Sequence, residues 1–176
     1  MNRLVKKSNK IQDLLVISSD IYYDFRGENC ELFNKKDYKK ILDDNNIHEI
    51  DFVVDSFSFS KKDVLRGFHG DTKTWKLIEC LQGEIYFVVL DLRNKSKTYG
   101  NHEIFHLNDK NRLQVLVPAG CVNAHLCISN TCIFHYKLSE LYTKQEDQMN
   151  VKWNDPRHEI YWPISNPILS ERDSHD

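Results

Sequence analysis

The chain has 176 residues, and its 24 lysines and arginines are balanced by 26 aspartates and glutamates to a formal charge of −2. That length suits one domain over residues 1–176 with room for a sizeable core. The near-neutral charge excludes a global field drawing the protein to nucleic acid or an anionic membrane, so any anionic ligand must be met by local groups.

In chain order, the first segment, "MNRLVKKSNKIQDLLVISSD", contains a strand-like "LLVIS" but no apolar run long enough for a signal peptide or membrane span. A cytoplasmic protein is expected. The pattern of "NKKDYKKILDDNN" predicts the single convincing helix, with Tyr38, Ile41 and Leu42 at helical spacing and Asn34 as N-cap. The later runs "IDFVVDSFSFS", "WKLIECL", "EIYFVVLDLR", "FHL", "RLQVLV", "AHLCIS" and "CIFHYKL" are rich in β-branched, aromatic and leucine residues and are broken by Gly, Asn, Asp, Lys and Ser. One helix cannot cover a parallel sheet, so the expected fold is all-β: an antiparallel double-sheet jelly roll with one or few short helices. "EIYFVVLDLR" is apolar on both alternating faces, which predicts burial twice over, with a partner subunit as the simplest outer cover. The short basic stretch "NKSKTYGN" is expected to be a solvated loop.

The five cysteines, Cys30, Cys80, Cys121, Cys127 and Cys132, are odd in number and form no C-x-x-C pair, which argues against a disulfide framework or a zinc knuckle. The densest titratable chemistry lies in "DVLRGFHGDTKTWK". His69, Asp71 and Glu79 are the only local set that suggests a metal, but Lys76 falls among them and would repel a cation. A lysine there suits an anionic ligand, and no metal or cofactor is expected.

"VLRGFHGD", "LQGEIYFVVLDLR", "VPAGCVNAHL", "FHYK", "WNDP", "WP" and "PILSERD" stand in the order and approximate spacing of the nucleotide-sugar 3,5-epimerases typified by dTDP-4-dehydrorhamnose 3,5-epimerase. The chain resembles that family from "DFRGENCELF" to "LSERD". The resemblance implies a metal-free cupin-type jelly roll, a homodimer, and a nucleoside-diphosphate 4-keto sugar as substrate. It further implies that His69 is the base, paired with Asp173, that Lys76 meets the C4 oxygen, and that Tyr136 is the acid on the opposite face. These roles suit the chemistry, because a C–H beside a ketone is acidic only through an enolate that must be stabilised and reprotonated. Arg66 and Arg26 match arginines near the diphosphate. The family exchanges its N-terminal region between subunits, which leaves Arg26 and Glu31 to either its own or the neighbour's site.

Departures from the rhamnose-type pattern fall at Gly70 and Asp71 after the histidine, at Phe87 in place of an acid, at Asn123 in place of a histidine with His125 two positions later, and at Leu141 and Tyr142 in place of a tyrosine pair. Gly70 suggests extra room, with Asp71, Asn123 and His125 as altered substrate contacts. These features resemble the branch that inverts C3, or C3 and C5, of GDP-4-keto heptoses for bacterial capsular polysaccharide. The alternatives are a dTDP-4-dehydro-6-deoxyhexose 3,5-epimerase and a non-catalytic sugar-nucleotide-binding cupin.

Overall fold

The computed structural model describes residues 3–48, 50–141, 144 and 147–175. Two antiparallel sheets form the body of the domain, as expected from the strand-like runs. The first contains β1 (Arg3–Lys7), β2 (Leu15–Ser19), β10 (Leu113–Val117), β7 (Lys76–Gln82), β12 (Thr131–Leu138) and β5 (Val54–Lys61), side by side in that order. The second contains β13 (Met149–Asn150), β6 (Leu65–Gly70), β11 (Cys121–Cys127), β8 (Glu84–Asp91) and β9 (His102–Asn108). A separate hairpin joins β3 (Tyr22–Asp24) to β4 (Gly27–Asn29).

Side chains alternate across each strand, so one face of every inner strand points into the space between the sheets. Ile78 and Cys80 of β7, Val115 and Val117 of β10 and Phe134 of β12 meet Ile85, Phe87 and Val89 of β8 and Cys121 of β11 there. Each fully buried side chain of this size contributes roughly 1.5–3 kcal/mol. All five cysteines are free thiols, four of them buried.

The other face of β8 is also buried, but its cover differs from the one expected. Tyr86, Val88 and Leu90 pack under Trp162, with Trp153, Ile160, Ile164 and Leu169 around them. Tyr86 Oη donates to the Tyr161 carbonyl at 2.8 Å, and Trp162 Nε1 donates to the Trp153 carbonyl at 2.7 Å. The chain's own C-terminal segment therefore does what a partner subunit was expected to do. Alternation reveals that both faces are dry, but it carries no information on which atoms exclude the water.

Helix α1 (Lys35–Asp44) forms where its pattern predicts, and Asn34 Oδ1 accepts the backbone N–H groups of Lys36 and Asp37 at 3.0 and 3.3 Å. Such a cap is worth about 1 kcal/mol. Tyr38 and Leu42 lie on the buried stripe and pack with Leu15, Ile17, Leu77 and Leu116 on the outer face of the first sheet. The same outer face carries an ion cluster: His135 Nδ1 lies 2.8 Å from Glu79 Oε1, its Nε2 lies 2.6 Å from Asp55 Oδ1, and Lys137 also binds Asp55. Only a protonated imidazole donates from both nitrogens. The hydrogen bond to Glu79 raises the His135 pKa against the opposing effect of burial, with Asp55 adding to the rise.

A raised folded-state pKa means that the contribution is complete below the ordinary histidine value and fades as pH rises through the folded one. His135→Leu is therefore expected to lower stability by on the order of 3 kcal/mol at pH 6, because Glu79 keeps its buried charge without a partner. The loss should be smaller at pH 9. Urea unfolding at the two pH values checks this, and an equal loss at both would show that the imidazole is not charged.

Candidate active site

The inner faces of the two sheets leave a cavity of about 670 Å³, whose lining includes Ser58, Arg66, His69, Lys76, Asn123 and Tyr136. Strand alternation brings these groups together. On β7, Lys76 faces inward with Ile78, while on β12 Tyr136 faces inward with Phe134. His69 comes from β6 in the opposite sheet.

His69 Nε2 is 2.7 Å from Asp173 Oδ1, across 104 residues of sequence. Asp173 lies in α2 (Glu171–His175), with its side chain only 3% exposed and its N–H donated to Ser170 Oγ at 3.1 Å. Burial alone would raise the Asp173 pKa, but the hydrogen bond and charge of His69, with the Gly67 N–H, hold it below the usual carboxylate value. An ionised Asp173 accepts a proton-bearing Nε2, which leaves the Nδ1 lone pair of His69 free to take a proton.

Lys76 Nζ donates to the His69 carbonyl at 2.9 Å and to Asn123 Oδ1 at 2.8 Å. Burial lowers its pKa to about 8, opposed by the nearby Asp71 and Cys121. Arg66 donates Nε to Ser60 Oγ at 3.1 Å and Nη2 to the Phe59 carbonyl at 3.4 Å, which orients a partly free guanidinium at the cavity rim. A guanidinium so placed suits phosphate oxygens.

His125 lines the cavity and stacks on Phe134, with ring centroids 3.9 Å apart and planes 8° apart. Burial, followed by the charges of Arg66 and His69, lowers its pKa to about 3, so it remains a neutral ring. Its Nε2 is buried without a hydrogen-bond partner among the described residues.

Four expected contacts stand differently. Gly70 does not open the cavity: a Cβ there would lie 2.3 Å from the Cys121 carbonyl oxygen, so the glycine permits close approach of β6 to β11. Gly67, with φ of +112° and a Cβ position 2.5 Å from the Asn123 carbonyl oxygen, serves the same packing. Asp71 lines the cavity, but its Oδ1 accepts the N–H groups of Lys73 and Thr74 at 2.8 and 2.7 Å and closes the β6–β7 turn. Arg26 sits exposed in the β3–β4 hairpin, bonded to Asp24, and Glu31 pairs with Arg3 at 2.9 Å; neither lines this chain's cavity. Tyr142 lies outside the described residues.

Glu79 faces the opposite side of its sheet, toward His135, so the metal set with His69 and Asp71 does not assemble. Ser58, Phe134 and Arg172 also line the cavity, although the sequence reading did not single them out as site residues. Phe134 was recoverable from alternation with Tyr136, and Ser58 from the same rule on β5. Arg172 adjoins Asp173 in "SERD" but carried no signal of its own.

His69 from one sheet and Tyr136 and Lys76 from the other thus line a single cavity. Such a set of groups suits an isomerase that works by proton removal and return. The comparisons identify the family. The dTDP-4-dehydrorhamnose 3,5-epimerase family matches residues 8–176. The dTDP-4-dehydrorhamnose 3,5-epimerase of Methanothermobacter thermautotrophicus is 36% identical over 97% of this chain and 91% of its own, and that of Escherichia coli is 33% identical over 93% and 88%. Among solved structures, the Elizabethkingia anophelis enzyme of the same name is 33% identical, with a TM-score of 0.86 over 98% of this chain and 94% of that one. The dTDP-6-deoxy-D-glucose-3,5-epimerase of Legionella pneumophila, in complex with dTDP-4-keto-L-rhamnose, is 31% identical, with a TM-score of 0.89 over 98% and 90%. The chain belongs to the dTDP-4-dehydrorhamnose 3,5-epimerase family and is an epimerase of nucleotide-linked 4-keto sugars.

Proposed function

We propose that the protein inverts C3 and C5 of a dTDP-linked 4-keto-6-deoxyhexose, and that its work is done by one catalytic domain in a cytoplasmic homodimer. The observation that carries the mechanism is the His69–Asp173 pair facing Tyr136 across a cavity into which Lys76 also points. His69 Nδ1 removes the proton beside the C4 ketone, and the electron pair moves onto the carbonyl oxygen. The Lys76 ammonium stabilises that oxyanion, and Asp173 stabilises the imidazolium. Tyr136 then returns a proton to the opposite face of the carbon, which inverts it. Rotation of the sugar brings the second centre to the same groups.

The dTDP assignment rests on the relatives, whose names specify dTDP sugars. The GDP-heptose expectation loses its main physical premise, since Gly70 is spent on strand packing. The homodimer is supported by exposed aromatics: Phe57 and Phe59 on the edge strand β5, and Tyr22, Tyr23 and Phe25 on the hairpin. Arg26 and Glu31 lie on or beside that hairpin, and in such a dimer they would serve the neighbour's site. Among the described residues no helix is long and apolar enough to cross a membrane.

Incubation with dTDP-4-keto-6-deoxyglucose and with a GDP-4-keto heptose in D₂O, with deuterium located by NMR, tests the assignment. The expected kcat/KM is at least about 10-fold higher for the dTDP-hexose, the discrimination one lost or strained contact provides. The reverse preference would restore the heptose assignment, and turnover of neither would remove the epimerase mechanism.

A further inference from the structure

We propose that Asn123 is a positioning residue that aims the Lys76 ammonium at the substrate's carbonyl oxygen while leaving its charge unneutralised. This rests on the epimerase reading above. An ammonium has three N–H bonds in a tetrahedral arrangement. Two of them are taken, by the His69 carbonyl at 2.9 Å and Asn123 Oδ1 at 2.8 Å, and with two directions held the third is determined. Lys76 lines the cavity, so that third donor is the one available to a ligand.

The chemical character of the two acceptors matters as much as their position. Both are neutral. Among the described residues no carboxylate lies within ion-pair distance of Lys76 Nζ. The charged and titratable groups that share its cavity are Arg66 and His69 from β6, Asp71 and Lys73 from the β6–β7 turn, His125 from β11, Tyr136 from β12, and beyond the strands Glu140, Asp147 and Arg172. Of the carboxylates Asp71 acts on it most, with Cys121 of β11, and Asp71 already accepts two backbone N–H groups. A carboxylate in place of the amide would hold the lysine equally well but cancel the field that a developing enolate needs. A hydrocarbon would leave the field but lose the aim.

Asn123 itself is held firmly. It is 8% exposed on β11, paired with His69 on β6 and Val89 on β8, so its backbone is anchored on both sides. The clamp therefore ties the oxyanion donor to the strand that carries the base. Lys76 and His69 are linked twice, once through the His69 carbonyl and once through Asn123, which fixes the donor relative to the proton acceptor. Such registration is what a reaction beside a carbonyl requires, since base and oxyanion donor act on neighbouring atoms.

Asn123→Leu and Asn123→Asp test the proposal together. In Asn123→Leu the expected result is a fall in kcat of about 10- to 100-fold with KM little changed, and an alkaline limb of kcat/KM displaced to lower pH because the ammonium has lost an acceptor. In Asn123→Asp the limb should move to higher pH by about one unit or more, while kcat still falls. A merely structural asparagine would not move the limb in opposite directions in the two variants.

The Lys76 titration, followed directly by NMR of isotopically labelled lysine side chains, reads the clamp without turnover. Should the leucine variant fail to fold, the nearly isosteric aspartate variant carries the test. A Lys76 midpoint unchanged in Asn123→Asp overturns the proposal. A shifted midpoint in a protein that turns over no 4-keto sugar would instead sink the epimerase reading while sustaining the contact between Asn123 and Lys76.

Discussion

His69→Asn is expected to abolish both product formation and deuterium exchange at the carbon beside the ketone, with kcat/KM reduced by on the order of 10³- to 10⁴-fold. The asparagine amide is close to imidazole in size and polarity and can still donate to Asp173, so the buried carboxylate at 2.7 Å is not orphaned. What disappears is the basic lone pair. Removal of the proton is the first step, and no later event can be reached without it. NMR in D₂O measures exchange and inversion in one sample. Substantial exchange surviving in this variant would place the base elsewhere and reduce the His69–Asp173 pair to a structural contact between β6 and the C-terminal helix.

Tyr136→Phe should separate the two processes that His69→Asn removes together. Inversion is expected to fall by about 10²- to 10³-fold, because the opposite face loses its proton donor. Exchange at the same carbon should survive within about threefold, since His69 can remove a proton and return a deuteron on its own side. The Tyr136 hydroxyl makes no hydrogen bond among the described residues, so its removal leaves no buried partner unsatisfied and should cost less than about 1 kcal/mol. That makes the kinetic effect interpretable as chemistry. Equal loss of exchange and inversion would mean that the two residues do not divide the acid and base roles.

A milder dependence follows from Lys76. With its pKa lowered to about 8 by burial, the free enzyme loses the ammonium as pH rises through that value. The alkaline limb used to test Asn123 is the kinetic expression of this loss. The unfolded chain holds the same proton up to the ordinary lysine value, so burial of Lys76 opposes folding most at neutral pH and least at high pH. The charge that the proposed mechanism uses is thus retained at some expense of stability.

Much of the molecule was legible along the chain. Strand-like runs marked β2, β5 and β7 to β12 but not β1 or β13, Asn34 and the spacing of Tyr38 and Leu42 marked α1, and His69, Lys76 and Tyr136 stood out by chemistry and motif. These are short-range properties: residue type, a period of two or of 3.6, and a cap within a few positions. β6 was harder to read, because two glycines, an arginine and a histidine in "LRGFHG" dilute its apolar pattern.

Other properties depend on which strands become neighbours, and local sequence does not carry that. Gly70 read as spare room and proved to be close backbone packing against Cys121. Asn123 read as a substrate contact; it does line the cavity, and the structure adds that its Oδ1 accepts from Lys76. The outer face of β8 was plainly apolar, yet only the folded chain shows that Trp162 and its neighbours cover it rather than a second subunit. The sequence by itself determined an all-β fold and the chemical groups available for proton transfer, because both follow from side-chain type and local period. Tertiary structure alone decided that Glu79 turns away to His135 and that two hydrogens of the Lys76 ammonium are taken, because each depends on contacts formed when strands far apart in sequence pair and two sheets close over one cavity.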